Sequence, residues 1–331
     1  MKTFVNFILI FLPSFIQVPI RRTFGQHIGK RSKIKFGTIL LSSNINIGNN
    51  VTIGPFCFIK AETLLIDDNS SIKSFCAIST RIVQLGKYVH IAPLSIISSE
   101  FTENSKIEIG DHSRIFPFCW LDTGEGIFLG KNVGVGGHTL IFTHGVWTDY
   151  MEGGPVSYGS VKLNDNVWLP WRIFILPNVE IGESSIVGAN SLVNKPFPKN
   201  VLIGGSPAKI LKENVISEIS SEEKKNRAKE ILNGFSKYIE FKFKIQSRAE
   251  GDQLIFNNLK IVLDDVNIVK RGDMLMLVNH ELNQADLTAL NNKGVSVLNH
   301  KEKNIKLIGK NIIYTNFISY LRRYGIRLYI N

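Results

Sequence analysis

Aliphatic residues recur at every sixth position of the chain between Ile28 and Val193. This period fits neither the 3.6-residue turn of an α-helix nor the two-residue alternation of an ordinary strand. It is typical of a solenoid in which each coil holds three short strands separated by tight corners. We therefore predict about eight stacked coils, in which these aliphatic triplets face the core: Ile28-Ile34-Leu40, Ile47-Ile53-Ile59, Ile66-Ile72-Ile78, Leu85-Ile91-Ile97, Ile109-Ile115-Leu121, Leu129-Val135-Ile141, Leu163-Leu169-Ile175 and Ile181-Val187-Val193.

The spacing between coils is regular, with one large exception. Successive coils begin 18 to 24 residues apart, but 34 residues separate Leu129 from Leu163. The excess predicts an extruded loop over residues 142–162, which is rich in polar and aromatic side chains. A long loop on an otherwise strict repeat usually carries function. We therefore expect functional residues in this loop.

Two further columns follow the middle aliphatic residue of each coil. The residue four positions later is small in most coils, which predicts an inward packing site; it is Thr38, Cys57, Cys76, Ser95, Cys119, Thr139 or Ser191. The three cysteines are therefore interpreted as core residues, rather than as a disulfide, zinc or redox group. The residue three positions later should face outwards; this corner column is Phe56, Phe75, Leu94, Phe118, His138, Arg172 and Asn190. Its stacked apolar part indicates a cover, either a neighbouring subunit, the N-terminal segment or the C-terminal domain.

The net charge of +11 is unevenly distributed. Residues 1–36 contain seven Lys or Arg and no acidic residue, whereas residues 37–208 are slightly acidic. No single basic stripe with interleaved aromatic residues is present, so we do not expect nucleic-acid binding. The apolar stretch Phe4–Ile20 is short for a spanning helix and is interrupted by proline. It either covers the open edge of the first coil or, with the cations of residues 1–36, attaches the protein to a membrane surface.

Beyond Val193 the six-residue pattern ends. We predict four parts in the chain: an apolar and basic segment (1–27), the solenoid (28–212), a helical linker (213–240) and a small α/β domain (241–331). The linker contains an amphipathic helix from about Val215 to Asn233. In the α/β domain, which has no recognisable catalytic motif, strands are predicted near 254–263, 274–278, 295–298, 305–308 and 326–330, and helices near 284–291 and 315–324.

The last coils carry a specific resemblance to a known family. The run Leu163–Val193, followed by Gly204-Gly205-Ser206-Pro207-Ala208-Lys209-Ile210, resembles the terminal signature of the hexapeptide-repeat acyltransferases. That family includes the galactoside, maltose, xenobiotic and cell-surface polysaccharide acetyltransferases. The resemblance covers residues 28–212 and implies a mainly β fold, a left-handed parallel β-helix of triangular cross-section. It also implies a homotrimer with active sites between subunits, and acetyl-CoA as co-substrate.

The resemblance further implies that a histidine acts as general base on the acceptor. A sugar hydroxyl is a poor nucleophile near pH 7, and a well-placed base accelerates its attack on a thioester by about 10²–10⁴-fold. His144 holds the place of the family's histidine, just after the last strand of the coil that precedes the long loop. His138, one strand earlier, is the alternative base beside the same cleft. Asp149 and Glu152 are candidates to orient the imidazole.

The resemblance places coenzyme A along the last coils. Gly188 and Ala189 would supply backbone contacts at a corner, and Trp168 and Trp171 would wall the pantetheine channel. The phosphates would be held through charge-assisted hydrogen bonds. The residues implied in this role are Asn194, Lys195, Lys209 and Lys212.

The predicted function is O-acetylation of a sugar in a surface polysaccharide, namely a capsule, an O-antigen or a lipid-linked precursor. The protein would be cytoplasmic, with peripheral attachment to the inner face of the cytoplasmic membrane, where such acceptors are found. The alternatives are N-acetylation of a nucleotide-linked amino sugar and a non-catalytic scaffold. We expect no metal, since a metal enzyme would need three converging histidines, and the candidates fall at different phases of the repeat: His90, His112, His138 and His144.

Overall fold

The structure is a computed structural model that describes residues 9–256, 259–263, 274–278, 284–292, 295–300, 302–307 and 311–330. The first residues of the predicted apolar stretch, up to Ile8, lie outside the described residues, as does the end of the strand predicted at 305–308. The chain divides into two compact units, residues 1–217 and 218–331.

The first unit consists of one helix and many short strands. Within residues 9–217 these elements are, in chain order, α1 (Ser14–Thr23), β1 (His27–Ile28), β2 (Lys33–Ile34), β3 (Ile39–Ile47), β4 (Thr52–Ile53), β5 (Phe58–Ile66), β6 (Ser71–Ile72), β7 (Ala77–Ser79), β8 (Ile82–Leu85), β9 (His90–Ile91), β10 (Ile96–Ser98), β11 (Lys106–Ile109), β12 (Arg114–Ile115), β13 (Trp120–Asp122), β14 (Ile127–Leu129), β15 (Gly134–Val135), β16 (Leu140–Ile141), β17 (His144–Gly145), β18 (Ser157–Tyr158), β19 (Val161–Leu163), β20 (Trp168–Leu169), β21 (Phe174–Ile175), β22 (Glu180–Ile181), β23 (Ile186–Val187), β24 (Leu192–Val193), β25 (Val201–Gly205) and β26 (Ala208–Glu213).

These strands form a mainly β fold with large parallel sheets, and each coil contributes one strand to each of three faces. We call the faces first, second and third in the order in which a coil visits them, beginning with β1, β2 and β3. The second face is a sheet of ten strands, from β2 to β26. The first and third faces belong to one sheet of 14 strands, because β3 and β5 run through the corner between them without a break.

The strand register follows the six-residue repeat. On the first face Ile28 pairs with Ile47 and Ile47 with Ile66, and on the third face Leu40 pairs with Ile59. The same pattern continues across the 34-residue interval, where Leu129 pairs with Leu163. The aliphatic column is therefore stacked coil on coil, and these side chains form one continuous buried core.

The inward and outward columns also lie where the repeat predicts them. The three cysteines are buried, and the Cys119 Sγ contacts the carbonyl oxygen of Gly136 at 3.2 Å. Burial raises the pKa of the Cys119 thiol to about 11. In the corner column, every residue from Phe56 to Asn190 has a φ between 55° and 62°. The rings of Phe56 and Phe75 stack with centroids 5.3 Å apart, while both side chains stay about half exposed.

The N-terminal segment covers the first coil. Helix α1 packs against β1 and β2. The Ser14 hydroxyl accepts a hydrogen bond from Ile34 N at 3.0 Å, and the Arg22 side chain donates to the carbonyl oxygens of Ile28 and Gly29. These bonds satisfy backbone groups at the open edge of the solenoid, which confirms the capping interpretation. No helix in the described part of the chain is long and apolar enough to cross a membrane.

The second unit is a mixed α/β structure. Its described elements are α2 (Ser221–Phe243), β27 (Arg248–Glu250), β28 (Gln253–Phe256), β29 (Leu259–Leu263), β30 (Met274–Val278), α3 (Gln284–Asn292), β31 (Val295–Asn299), β32 (Asn304–Lys306), α4 (Ile312–Leu321), a 3₁₀ turn (Arg322–Tyr324) and β33 (Tyr329–Ile330). The seven strands form one sheet in sequence order, and β29, β30 and β31 are parallel. The core on one side of the sheet includes residues of α2 and α4, and a smaller cluster includes Leu290 of α3.

The prediction of a helical linker over 213–240 needs correction. Helix α2 begins later, after Ser220, whose hydroxyl accepts a hydrogen bond from Glu223 N at 3.1 Å, and it ends ten residues beyond the predicted Asn233. Its apolar stripe, which includes Ile231 and Phe235, is buried in the core of the second unit. The helix therefore belongs to that unit, because burial of this stripe is what stabilises it.

Candidate active site

The extruded loop begins and ends as a small antiparallel hairpin. Strand β17 pairs with β18, so that His144 lies opposite Tyr158, with ring centroids 6.4 Å apart. The tip of the loop is exposed, and Trp147 has 97% of its surface accessible. The hairpin holds the imidazole of His144 at the base of the loop, next to the solenoid.

Asp122, from the preceding coil, lies beside this imidazole. The Asp122 Oδ1 is 3.1 Å from the His144 Nδ1. The same oxygen accepts hydrogen bonds from Thr143 Oγ1 at 2.8 Å and from Gly124 N at 3.2 Å. The Thr143 hydroxyl in turn accepts one from Glu125 N at 3.0 Å. The Asp122 side chain is only 12% exposed and the imidazole 43%, so a shielded carboxylate faces a ring that solvent and ligands can reach.

This contact defines what the imidazole can do chemically. A carboxylate can only accept hydrogen bonds, so the Nδ1 of His144 must carry the proton that it shares with Asp122. In the neutral ring, Nε2 is then the unprotonated nitrogen. An imidazole in this tautomer can take a proton at Nε2 as a general base, and the carboxylate stabilises the cation that results.

The prediction that Asp149 or Glu152 orients the imidazole is corrected by this contact. The Asp149 carboxylate accepts a hydrogen bond from Met151 N at 2.8 Å in the loop tip, and no hydrogen bond joins it to His144. Such a contact two residues along the chain is typical of an Asp turn. The neighbour of the imidazole is Asp122, because coil stacking brings together residues that are distant in sequence.

The second candidate base, His138, is not beside the same cleft as His144. The two residues lie at opposite ends of β16, at different corners of one coil. The ring of His138 stacks on Phe118, with centroids 5.0 Å apart, and its centroid is 6.0 Å from that of Trp171. His138 belongs to the corner column, as its φ of 58° indicates.

A cavity of about 400 Å³ lies at the corner of His138. Its polar lining includes Arg172, Asn190 and Ser206 from the last coils. The guanidinium of Arg172 gives this cavity a positive charge, and guanidinium groups bind phosphate through paired hydrogen bonds. The cavity is therefore a candidate place for part of an anionic ligand.

Six of the eight residues assigned to coenzyme A lie near this corner. Trp168 lies on the second face. Ile186, Leu202 and Lys212 are paired with it in register on the successive strands of this face and form one outward row. At the adjoining corner, the backbone of Asn190 donates a hydrogen bond to the carbonyl of Trp171 at 3.2 Å. The six residues of this group are Trp168, Trp171, Gly188, Ala189, Lys209 and Lys212.

The remaining two residues lie elsewhere. Asn194 and Lys195 follow β24, at the corner between the third and first faces. His144 follows β16 of the same face and therefore lies at this corner too. The structure thus separates the predicted coenzyme A residues into two groups, at opposite ends of the third face.

Three site residues were absent from the sequence prediction. Asp122 and Thr143 form the network around the imidazole, and Arg172 lines the cavity. A signal for Asp122 exists in the repeat: the coils that begin at Ile109 and Leu129 are 20 residues apart, so residue 122 stacks beneath residue 142. No comparable sequence signal marks Arg172 beyond its position in the corner column.

Within the described residues, no group of three or more His, Cys, Asp or Glu side chains is placed to hold a metal ion.

Comparison with known proteins identifies partial sequence relatives of the chain. A galactoside O-acetyltransferase from Lactococcus lactis is 38% identical over 86 residues, which is 25% of this chain and 42% of that protein. WcaF of Escherichia coli, whose name assigns it provisionally to acetylation in colanic acid biosynthesis, is 27% identical over 144 residues, 41% of this chain and 71% of that protein. The relatives of this chain are hexapeptide-repeat acetyltransferases.

Other comparisons define how far this similarity extends. A solved hexapeptide-repeat acetyltransferase from Vibrio cholerae is 31% identical, and the alignment covers 40% of this chain and 73% of that one with a TM-score of 0.35. The same Vibrio cholerae protein has been solved in complex with acetyl coenzyme A. No protein-family model matches the chain. The chain also covers less than two thirds of several curated relatives, 42% in the case of the Lactococcus protein.

Proposed function

We propose that this hexapeptide-repeat protein is an acetyl-CoA-dependent O-acetyltransferase that acts on a sugar of a surface polysaccharide or of its lipid-linked precursor. The observation that carries the proposal is the contact of 3.1 Å between His144 and Asp122 at the base of the extruded loop. In a chain of this family, the contact supplies a base with a defined tautomer beside an exposed loop. The name of WcaF, which refers to colanic acid, favours a polysaccharide acceptor.

The proposed reaction is direct transfer. The acceptor hydroxyl gives its proton to the Nε2 of His144 while its oxygen attacks the carbonyl carbon of the acetyl thioester. The new C–O bond forms and the C–S bond breaks, and the departing thiolate takes the proton from the imidazolium. Asp122 keeps the ring in position through both steps. The products are an O-acetyl sugar and coenzyme A.

The loop tip is the proposed contact surface for the carbohydrate. Trp147, Tyr150 and Met151 are 97%, 72% and 89% exposed, although large apolar side chains are usually buried. Aromatic rings offer flat apolar surfaces to the C–H faces of sugars, and the Tyr hydroxyl adds a polar contact. Three such side chains within a few residues of His144 support an acceptor site on this loop.

Acetyl-CoA is the proposed acyl donor, bound at the last coils. The cavity with Arg172 and the nearby Lys209 and Lys212 offer positive charge for the phosphates. Asn194 and Lys195, at the corner of His144, are proposed to contact the thioester end. With this assignment, one extended acetyl-CoA molecule lies along the third face and contacts both groups of residues.

The proposed assembly is a homotrimer of left-handed β-helices, with coenzyme A and acceptor bound between subunits. One face of the solenoid supports an interface. The outward row of the third face is apolar in every coil, and a soluble protein rarely leaves such a row uncovered. Its members, paired in register, are Ile39, Phe58, Ala77, Ile96, Trp120, Leu140, Phe174 and Leu192.

The test of the function is acyl transfer by the purified full chain. With acetyl-CoA and a set of sugar acceptors, we expect coenzyme A release together with a mass increase of an acetyl group on one acceptor. His144→Ala should lower kcat by about 10²–10⁴-fold, whereas His138→Ala should retain most activity. Equal losses in the two variants would contradict the assignment of the base. If acetyl is transferred only to the amino group of amino sugars, the function is N-acetylation instead of the proposed O-acetylation.

Peripheral attachment to a membrane is also proposed. Besides capping the first coil, the N-terminal segment exposes Phe11 and Phe15, at 59% and 78%, and it is followed by the exposed cations Lys30, Arg31 and Lys33. Exposed aromatic residues next to cations suit an anionic bilayer surface.

The full chain should co-sediment with vesicles containing phosphatidylglycerol and not with pure phosphatidylcholine vesicles. Equal sedimentation with the two kinds of vesicle would contradict an electrostatic contribution to membrane binding. If the chain sediments with neither kind, the proposed membrane attachment is refuted.

A further inference from the structure

The second unit contains a large crevice that the acyl-transfer chemistry does not use. Its volume is about 1050 Å³, and it lies at the carboxyl ends of the parallel strands β29 and β30 and beside His300, which follows β31. The apolar part of its lining includes Leu263, Leu277 and Ile231. In open α/β sheets, ligands bind in the crevice outside the carboxyl ends of the strands.

One cation reaches the crevice from a position where an apolar residue is expected. Lys224, Ala228, Ile231 and Phe235 are spaced four, three and four residues apart, so they share one face of α2. The last three contact the core of the second unit. Lys224 occupies the first turn of the same stripe and lines the crevice. Its place in the stripe puts a positive charge at the crevice, where the side chain also remains exposed to solvent.

A second cation and an imidazole approach from the sheet. Lys303 lies in the turn between β31 and β32 and lines the crevice together with His300. The pKa of His300 is lowered, first by burial and then by the positive charges of Lys303 and Lys224. The two ammonium groups, one from α2 and one from the turn after β31, therefore act on the same imidazole.

These two lysines have no acidic partner among the described residues. Other cations of the lining do: Arg227 pairs with Glu223 at 2.7 Å, and Lys225 pairs with Asp252. Neither Lys224 nor Lys303 forms an ion pair with any carboxylate that the structure describes. Among the described residues of the lining, four are Lys or Arg and two are Glu. Two ammonium groups without a described acidic partner, in a crevice that also has apolar lining residues, are complementary to an amphipathic anion.

We propose that this crevice binds a phosphate ester whose organic part is apolar or aromatic. The phosphate accepts charge-assisted hydrogen bonds from Lys224 and Lys303, whose two charges match the −1.5 to −2 of a phosphate monoester near pH 7. The organic part covers Leu263 and Leu277 and removes them from water. Inorganic phosphate lacks this second contact and is bound more weakly.

Calorimetric titration of the full chain tests the proposal, with phenyl phosphate and inorganic phosphate as probes. We expect saturable binding of phenyl phosphate, at least threefold tighter than that of inorganic phosphate. The double variant Lys224→Glu, Lys303→Asn should bind phenyl phosphate at least tenfold more weakly. Both changes suit the local backbone, because Glu is favourable in the first turn of a helix and Asn tolerates the positive φ of position 303.

The matched control is Lys237→Glu, which makes the same charge change as Lys224→Glu on the exposed surface of α2, away from the crevice. This variant should bind phenyl phosphate as the unmodified chain does. Equal affinity in the double variant and the unmodified chain would place the binding elsewhere and overturn the proposal. So would the absence of saturable binding to the unmodified chain, or equal affinity for the two probes. Because acyl transfer is not the readout, none of these results depends on the function of the first unit.

Discussion

Single residues at the site are held by groups from two neighbouring coils. The Oδ1 of Asp122 faces three donors, the Thr143 hydroxyl, Gly124 N and the imidazole of His144. A shielded carboxylate loses water, and such donors compensate for the loss. The Thr143 hydroxyl is itself fully buried and bonded on both sides. The position of the His144 imidazole therefore depends on stacking of the coils as much as on the hairpin that carries it.

A different single residue, His90, makes the stability of the first unit sensitive to pH. Its Nδ1 is 2.7 Å from the Ser71 hydroxyl, and burial, followed by the charges of Arg114 and Lys73, lowers its pKa from 6.5 to about 4. The unfolded chain therefore binds this proton more readily than the folded chain. The contribution of neutral His90 to stability is complete above pH 6.5 and is lost as the pH falls towards 4.

We accordingly expect His90→Gln to flatten this pH dependence. Between pH 7.5 and 4.5 the free energy of unfolding should fall by about 1–2 kcal/mol more in the unmodified chain than in the variant, allowing for the solvent that reaches the ring. Urea unfolding followed by circular dichroism at the two pH values measures the difference. Parallel losses in both proteins would show that His90 is not the responsible group.

At the scale of the element, each coil is fixed by close backbone contact with the next. The tightest such contact is at Gly136, where an added Cβ would lie 1.5 Å from the carbonyl oxygen of Pro170. The backbone N–H of Gly136 also donates to the Leu169 carbonyl at 2.6 Å. Any side chain at position 136 would force these two coils apart.

Gly136→Ala should therefore lower the free energy of unfolding of the first unit by about 2–3 kcal/mol, the upper part of the range that is typical of overpacking. Gly145→Ala is the matched control, because an added Cβ there meets no atom within 4 Å. Urea unfolding of both variants gives the comparison. A loss in Gly145→Ala equal to that in Gly136→Ala would show that helix or strand propensity, rather than the steric contact, is responsible.

The elements differ in how far the sequence predicts them. The six-residue column predicts the strand register from Ile28 to Val193, because each position has one buried partner in the next coil. The bounds of α2 were wrong by up to ten residues, since its stripe is defined by packing against strands that are distant in sequence. The resemblance to the family predicts His144 from its place before the loop. Its contact with Asp122 could not be predicted in this way, because it depends on which residues stack across coils.

At the scale of the whole molecule, the described coils of the first unit leave two stacked apolar rows exposed. The outward row of the third face is one, and the part of the corner column from Phe56 to Phe118 is the other. Phe56, Phe75 and Phe118 also adopt a positive φ, which costs a bulky residue of order 1 kcal/mol. Strained and exposed phenylalanines in one row indicate a surface that is buried in an assembly.

We therefore expect a native mass of three times the 37.2 kDa of one chain, measured by light scattering after size exclusion. Phe75→Glu should lower this mass, because a carboxylate in an apolar interface loses its hydration without a partner. Phe241→Glu is the control, since Phe241 is 80% exposed on the second unit. A monomeric mass for the unmodified chain would contradict the assembly.

His144 and Asp122 are expected to act together in acyl transfer, and a double-mutant cycle measures this most directly. The rate of coenzyme A release is determined for the unmodified chain, His144→Ala, Asp122→Asn and the double variant. Residues that act as a unit are not additive, so Asp122→Asn should lower kcat by about 10–100-fold alone and have no further effect once His144 is Ala. An equal loss from Asp122→Asn in both backgrounds, or no loss in either, would contradict the account.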